Sequence, residues 1–226
     1  MTLVKICGVS DVKQARAAAA MGADFVGMVF APSSRQVTLG QAKRISEGLG
    51  KGQSPRIGKT DTALIVAALD ARRPLLVGVF ADQDADTINA ISEDVGLDLI
   101  QLSGSEPWEV CDQINRPIFK CMKVRQGETA EQVMVHVHEG AVVLLDPYVE
   151  GIYGGTGRTL DWSMAAEIAQ QTPTVLAGGL TPKNVGDAVQ TVHPWAVDVS
   201  SGVETEGVKD TDKIRAFIAA SKEASK

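Results

Sequence analysis

The sequence has few aromatic residues and no long apolar run, and both shortages exclude classes of protein. Aromatic residues make up only 4% of the 226 residues, so we expect no surface on which the bases of nucleic acid stack. With 22 basic and 28 acidic residues the net charge is −6, which also disfavours a nucleic-acid partner. No run approaches the roughly 18 apolar residues of a membrane span, and the N-terminus shows no signal-peptide pattern. The sequence therefore predicts neither nucleic acid nor membrane as a partner.

Cysteine is also scarce, with only Cys7, Cys111 and Cys121 present. An odd number without paired spacing argues against a disulfide framework and predicts a cytoplasmic location. The sequence also lacks a constellation of His, Cys, Asp and Glu at metal-ligand spacing, so we expect no metal site.

Short apolar runs of strand length recur along the chain. Most are rich in Val, Ile, Leu and Phe, and their apolar character is nearly continuous rather than alternating. This pattern is typical of strands covered on both faces, as in a parallel sheet. The eight runs are 3–7, 24–30, 75–80, 98–102, 118–124, 142–146, 174–179 and 196–201.

Each run is followed by a segment with helical spacing. Eight right-handed βα repeats close naturally into a (βα)₈ barrel. We therefore predict an α/β fold in which residues 1–226 form a single TIM-barrel domain. A doubly wound open sheet is the alternative, because periodicity alone does not show closure.

The segment 49–74, between the second and third βα units, is longer than one connection requires. Its second half, TDTALIVAALDARR, predicts an extra amphipathic helix packed on the outside of the barrel. We interpret this segment as a structural insertion, because it carries no residue pattern associated with catalysis.

Polar side chains stand at the ends of several predicted strands, where barrel enzymes place their active sites. Lys5 and Cys7 end the first strand, Arg35 follows the second, Asp146 ends the sixth and Asp198 lies in the eighth.

Glycines and hydroxyls follow the seventh and eighth strands, in AGGLTP and DVSSGVE. Exposed backbone N–H groups at these positions are suited to an anion, and barrels often bind phosphate there. This places a small phosphorylated substrate near Gly178, Gly179, Ser200 and Ser201. The glycine-rich GGTGRT does not have the spacing of a nucleotide-binding P-loop.

Six motifs together resemble the phosphoribosylanthranilate isomerase family of tryptophan biosynthesis: KICG, S-x-R-x-V, LLD, GGTGRTLDW, LAGGLTPKNV and AVDVSSGVE…GVKD. They run in order from the first strand to the final helix. The resemblance implies an isomerase that converts the aminoaldose N-(5-phosphoribosyl)anthranilate into the ketose 1-(2-carboxyphenylamino)-1-deoxyribulose 5-phosphate. This Amadori rearrangement needs a general acid and a general base on opposite sides of the sugar, and neither cofactor nor metal.

The resemblance also implies roles for individual residues. Cys7 matches the general base, so we expect either a lowered thiol pKa or proton transfer on substrate binding. Lys5 points to the same face of the strand and would favour the thiolate. Asp146 matches the general acid, and partial burial at a strand end should raise its pKa.

The remaining matches concern substrate binding. Arg35 matches the partner of the anthranilate carboxylate, and Asp198 a residue that orients the amine or the sugar hydroxyls. Gly178, Gly179, Ser200 and Ser201 match the phosphate loops. Gly155, Thr156 and Gly157 lie in a loop expected to close over the ligand.

One departure is Ser103, in QLSG, where the family usually has histidine; this affects one expected binding contact. Two alternatives stay open from the residues alone. One is another phosphosugar-binding barrel enzyme, such as an indole-glycerol-phosphate synthase, and the other is a non-catalytic barrel subunit. The sequence is compatible with a monomer or a homodimer.

Overall fold

Eight parallel strands pair in sequence order and close into a barrel, since β8 pairs with β1. The computed structural model describes residues 1–50, 60–148 and 159–226. The barrel is the predicted architecture, and each strand lies within or next to a predicted run. The strands are β1 (Leu3–Cys7), β2 (Phe25–Val29), β3 (Leu75–Phe80), β4 (Leu99–Leu102), β5 (Ile118–Val124), β6 (Val142–Pro147), β7 (Thr174–Leu176) and β8 (Ala196–Val199).

Helices connect the strands, and all but α3 lie around the outside of the barrel. Within the described ranges these are α1 (Val12–Ala20), α2 (Leu39–Gly48), α3 (Thr62–Arg72), α4 (Ala85–Val95), α5 (Trp108–Cys111), α6 (Ala130–Met134), α7 (Trp162–Ala169), α8 (Val185–Val192) and α9 (Thr211–Ala224). A small antiparallel hairpin, β9 (Glu204–Thr205) and β10 (Val208–Lys209), follows β8. No helix in these ranges is long and apolar enough to cross a membrane.

Side-chain caps begin several of the helices. Asp11 accepts a hydrogen bond from the backbone N–H of Gln14 at 2.8 Å, and Thr38 forms a reciprocal capping box with Gln41. Each cap satisfies a backbone donor that the first helical turn leaves without a partner.

Two helices are shorter than their sequence patterns predict. Between β4 and β5 only the four residues of α5 are helical, and between β5 and β6 only the five residues of α6. Pro107 stands as the N-cap of α5 without a side-chain cap bond. Beyond α6 the chain continues in tighter i→i+3 turns, with the N–H of Val137 donating to the carbonyl of Met134. β-Branched valines on alternate residues have low helix propensity and favour this early end.

Helix α3 closes the amino-terminal end of the barrel. Its buried Ile65 and Leu69 belong to the apolar cluster inside the barrel, together with the first residues of β2 and β3, Phe25 and Leu75. The expectation that this helix packs on the outside of the barrel is therefore wrong. The predicted amphipathic character is also wrong, because apolar residues surround the helix almost evenly and Leu64 and Val66 are exposed.

Aromatic rings fill the same end of the barrel. The ring of Phe25 meets that of Phe119 edge-on at a centroid distance of 5.4 Å. It is tilted against the ring of Trp195 at a centroid distance of 5.9 Å. Such pairs add to the stabilisation from burial. With this end filled, the carboxyl-terminal mouth is the open end of the barrel.

Candidate active site

One pocket lies at the carboxyl-terminal mouth, where the ends of the strands meet. It is lined by every predicted site residue that falls within the described ranges: Cys7, Arg35, Asp146, Gly178, Gly179, Asp198, Ser200 and Ser201. Gly155, Thr156 and Gly157 lie outside the described residues. The strand order explains this convergence, because residues at the carboxyl ends of all eight strands face one opening.

Cys7 lies beside a buried ion pair. The Nζ atom of Lys5 is 2.9 Å from Oδ1 of Asp198, which stands opposite it on the neighbouring strand β8. A Cβ atom on Gly27 of β2 would come within 3.0 Å of the Cys7 sulfur and 3.1 Å of the Lys5 nitrogen. Glycine at that position therefore provides the space in which the thiol and the ammonium group lie next to each other.

The charges of this cluster are coupled. Burial raises the pKa of Cys7, and this effect outweighs the nearby Lys5, which lowers it. Burial works against the charge of Lys5, yet Asp198 and Cys7 raise its pKa overall. The expectation of a lowered Cys7 pKa is therefore wrong. The other expectation, that substrate binding drives proton transfer to or from Cys7, stays a prediction.

Asp146 stands across the mouth from Cys7, near the end of β6. Burial, and secondarily the negative charge of Asp198, raise the pKa of Asp146 to about 7. Lys123 and Lys5 work in the opposite direction. The predicted increase in the Asp146 pKa is thus confirmed, and its carboxyl group is poised to be protonated near neutral pH.

Arg35 does not stand free at the mouth. Its Nε and Nη2 atoms donate to Oε1 and Oε2 of Glu204, each at 2.7 Å. Burial opposes ionisation of Glu204, but Arg35 and Lys209 outweigh it and lower the pKa of that carboxyl. The guanidinium and the carboxylate, both charged, therefore form a bidentate, fork-shaped ion pair.

The loops after β7 and β8 form the predicted phosphate region. Gly178 and Gly179 both have positive φ, a backbone conformation that favours glycine and turns the chain sharply towards α8. Asn184, just before α8, donates to the carbonyl of Gly179 at 3.0 Å and accepts from the N–H of Thr181 at 2.7 Å. Ser200 borders the same region and is held by Lys209.

The polar residues Lys123 and Gln101 also line the pocket, and neither was predicted to be a site residue. Lys123 is the next-to-last residue of β5, and its Cα lies opposite that of Asp146 on β6. Gln101 donates to the hydroxyl of Ser103 at 2.9 Å, at the position where the family usually has histidine. Lys123 could have been found by counting alternate residues along β5, because every second side chain of a strand shares a face.

Cys121 is a second thiol that lines the pocket. Burial and the charge of Asp146 raise its pKa strongly, despite the nearby Lys123 and Lys120. Cys7 differs from Cys121 in its side-chain hydrogen bond with Lys5, so of the two thiols Cys7 has the closer cation for its thiolate. Among the described residues, no group of three or more His, Cys, Asp or Glu side chains is arranged to hold a metal ion.

The comparisons with known proteins agree with this geometry. The family model of N-(5′-phosphoribosyl)anthranilate isomerase matches residues 4–220. The N-(5′-phosphoribosyl)anthranilate isomerase of Dehalococcoides mccartyi is 41% identical over 231 residues, which cover 99% of this chain and 97% of the relative. The crystal structure of phosphoribosylanthranilate isomerase from Thermotoga maritima superposes with a TM-score of 0.79 at 33% identity, covering 99% of this chain and 100% of that one.

A further solved structure shows a ligand. It is a phosphoribosylanthranilate isomerase in complex with reduced 1-(o-carboxyphenylamino)-1-deoxyribulose 5-phosphate. It matches with a TM-score of 0.77 at 33% identity and covers 99% of this chain and 100% of that one. The family match over nearly the whole chain, together with full-length relatives above 30% identity, shows that this chain belongs to the N-(5′-phosphoribosyl)anthranilate isomerase family.

Proposed function

We infer that this chain catalyses the isomerisation of N-(5-phosphoribosyl)anthranilate to 1-(2-carboxyphenylamino)-1-deoxyribulose 5-phosphate, a step of tryptophan biosynthesis. One observation carries this inference beyond family membership. Cys7 on β1 and Asp146 on β6 face one pocket from different sides, and the pKa of Asp146 is raised to about 7. An aldose–ketose rearrangement requires an acid and a base in this relation.

Asp146 acts as the general acid. It donates its proton to the ring oxygen of the sugar while the bond from that oxygen to C1 breaks, which opens the ring and leaves an iminium ion at C1. A carboxyl with a pKa of about 7 is both protonated often enough and acidic enough for this step near neutral pH.

Cys7 acts as the general base. Its thiolate removes the proton from C2, and the electrons of that bond neutralise the iminium ion to form an enolamine. Tautomerisation of the enolamine then yields the ketose. Lys5, which contacts both Cys7 and Asp198, stabilises the thiolate while it exists.

The rest of the pocket binds the two ends of the substrate. The loops around Gly178, Gly179, Ser200 and Ser201 hold the phosphate through backbone N–H groups and hydroxyls. Arg35 pairs with the anthranilate carboxylate. Asp198, whose Oδ1 atom holds Lys5, orients the amine or the sugar hydroxyls.

We propose that the protein acts without a cofactor, in the cytoplasm, as a monomer or homodimer. The three cysteines are free thiols, which suits a reducing compartment.

Steady-state turnover of freshly prepared phosphoribosylanthranilate, followed by the loss of its fluorescence, tests the proposal. We expect turnover by the wild type and a loss of at least a hundredfold in kcat for both Cys7→Ala and Asp146→Asn. Cys111→Ala is the matched control, because that thiol lies outside the pocket. An inactive wild type would reject the function, whereas active Cys7→Ala and Asp146→Asn variants would reject the assigned acid and base.

A further inference from the structure

Arg35 presents two different edges to its surroundings. Glu204 occupies the side-on edge, formed by Nε and Nη2, with two bonds of 2.7 Å. The end-on edge, formed by the two Nη groups, has no partner among the described residues. A guanidinium binds one carboxylate on each of these edges. The fork with Glu204 therefore does not block a substrate carboxylate, but fixes the direction from which it can be bound.

Glu204 is itself held firmly. Its side chain is only 6% exposed, and Lys209, opposite it in the β9–β10 hairpin, donates to Oε1. Lys213, in the first turn of α9, donates to the Glu204 carbonyl at 2.6 Å. The carboxylate that receives Arg35 thus has a fixed position relative to the barrel.

Lys209 extends the connection to the phosphate region. Its Nζ atom also donates to the carbonyl oxygen of Ser200 at 3.0 Å and to the Ser200 hydroxyl at 3.3 Å. The Lys209 side chain is only 2% exposed, so its ammonium group contacts Glu204 and Ser200 and not solvent. Arg35, Glu204, Lys209 and Ser200 therefore form one continuous chain of contacts.

The aliphatic part of the Arg35 side chain packs directly against Gly8. A Cβ atom there would lie 2.6 Å from Cδ of Arg35 and 3.0 Å from the hydroxyl of Ser200. The glycine of the KICG motif, which directly follows Cys7, thus lets Arg35 and Ser200 approach the same point of the barrel rim.

We propose that Glu204 and Lys209 are positioning residues, which hold Arg35 and Ser200 at a fixed separation so that the substrate carboxylate and phosphate are bound together. The proposal rests on the proposed function, because it assigns these two groups to the substrate. Neither residue lines the pocket. Their removal is therefore expected to weaken binding in the ground state and the transition state alike, which raises KM. Loss of Glu204 should leave kcat nearly unchanged, whereas loss of Lys209 should also lower kcat moderately, because the charge of Lys209 lowers the pKa of Cys7.

The first measurement is the steady-state kinetics of Glu204→Gln and Lys209→Met. We expect an increase in KM of at least tenfold in each variant, with kcat within about threefold of the wild type in Glu204→Gln. The double variant should lose little more than the worse single variant, because each substitution breaks the same chain of contacts. Wild-type KM values in both variants, or a fall in kcat at constant KM, would overturn the proposal.

The second measurement separates the two ends of the substrate. Affinities are determined for reduced 1-(o-carboxyphenylamino)-1-deoxyribulose 5-phosphate and for ribulose 5-phosphate, which has no carboxylate. Glu204→Gln should weaken the first ligand at least tenfold more than the second, because it releases Arg35. Lys209→Met should weaken both, because it also releases Ser200. Equal effects of Glu204→Gln on both ligands would contradict the assignment of Glu204 to Arg35.

A matched pair controls for lost stability. Lys120 and Glu106 form a second buried ion pair, with Nζ and Oε2 3.0 Å apart, and neither residue lines the pocket. Glu106→Gln should lower stability in the same way as Glu204→Gln, but leave KM unchanged. If Glu204→Gln does not fold, Lys209→Met carries the test, since Arg35 and Glu204 remain paired in it. An inactive wild type would reject the function itself, a result distinct from an active wild type with unaffected variants.

Discussion

The Nζ atom of Lys5 lies 2.9 Å from Oδ1 of Asp198, on the neighbouring strand, and both side chains are buried inside the barrel. Cys7 stands two residues after Lys5 on the same face of β1. The ammonium group therefore contacts the Asp198 carboxylate and, whenever Cys7 is ionised, also stabilises the Cys7 thiolate. Lys5 lowers the pKa of Cys7, whereas Asp198 raises it.

Lys5→Met should reduce catalysis by removing the cation that favours the thiolate. The Cys7 pKa then rises, and kcat at pH 8 should fall by roughly tenfold or more, since each unit of pKa changes the thiolate fraction tenfold. Asp198 is also left buried without its partner, which costs about 3–5 kcal/mol of stability. Steady-state kinetics and denaturant unfolding measure the two effects. Lys120→Met, which breaks another buried ion pair, should lose stability and keep kcat; an equal loss of kcat in that variant would contradict the specific role of Lys5.

The pH profile of kcat/KM should rise through an apparent pKa near 7. The proposed mechanism requires a protonated Asp146 and an ionised Cys7, yet Asp146 has a pKa of about 7 and burial raises the pKa of Cys7 above its ordinary value. The reactive state has the same number of protons as the more populated state with ionised Asp146 and neutral Cys7. Loss of the first proton from the pair, near pH 7, therefore produces both states in a fixed ratio, and loss of the second proton, at higher pH, removes both. A profile that falls from pH 7 upwards would show that Cys7 ionises before Asp146.

Substitution of Lys123 should move this rising limb. Lys123 is the largest influence that lowers the Asp146 pKa, while Asp198 raises it. Lys123→Met should therefore shift the limb to higher pH, Asp198→Asn to lower pH, and Lys123→Arg should leave it in place. Comparing variants with one substrate cancels the ionisation of the substrate's own phosphate. A limb at the same pH in all three variants would assign it to a group other than Asp146.

The barrel, and the position of Cys7 and Asp146 in its mouth, were predictable because both follow from local sequence patterns. Eight apolar runs separated by helical segments predict the fold, and the position of Cys7 and Asp146 at strand ends follows from the alternation and the motifs. The Arg35–Glu204 fork was not predictable, because its partners are 169 residues apart in the sequence. Nothing in S-x-R-x-V or in the GVE…GVKD motif indicates that they meet.

The direction of the shift in the Cys7 pKa could not be predicted from the sequence either. A neighbouring lysine at i−2 favours the thiolate, and this reasoning predicted a lowered pKa. The opposite direction results from burial, which depends on how eight strands and their loops enclose the thiol. Short motifs identify the residues of a site, whereas the balance between desolvation and charge requires the complete pocket.

Asp146→Asn should stabilise the protein at alkaline pH while abolishing turnover. A carboxyl whose pKa rises from 3.8 unfolded to about 7 folded binds more protons in the native state throughout that range, so stability falls as pH increases through it. The full penalty, roughly 4 kcal/mol, applies above pH 7. Asparagine keeps the shape without the charge, so the stability difference from wild type should grow between pH 5 and pH 8. Denaturant unfolding at both pH values measures it, and a difference independent of pH would contradict the raised pKa.

Helix α3 should stabilise the barrel without affecting catalysis. Ile65 is fully buried in the interior cluster, whereas its neighbour Leu64 is 52% exposed. Ile65→Ala should therefore lower the free energy of unfolding by about 2–5 kcal/mol, and the matched control Leu64→Ala by less than about 1 kcal/mol. Both variants should keep kcat/KM within about threefold of wild type, because α3 lies at the amino-terminal end and the candidate active site at the opposite mouth. Equal costs for the two substitutions would show that α3 does not pack into the barrel, and a large loss of kcat/KM in folded Ile65→Ala would show that packing at one end controls the geometry of the other.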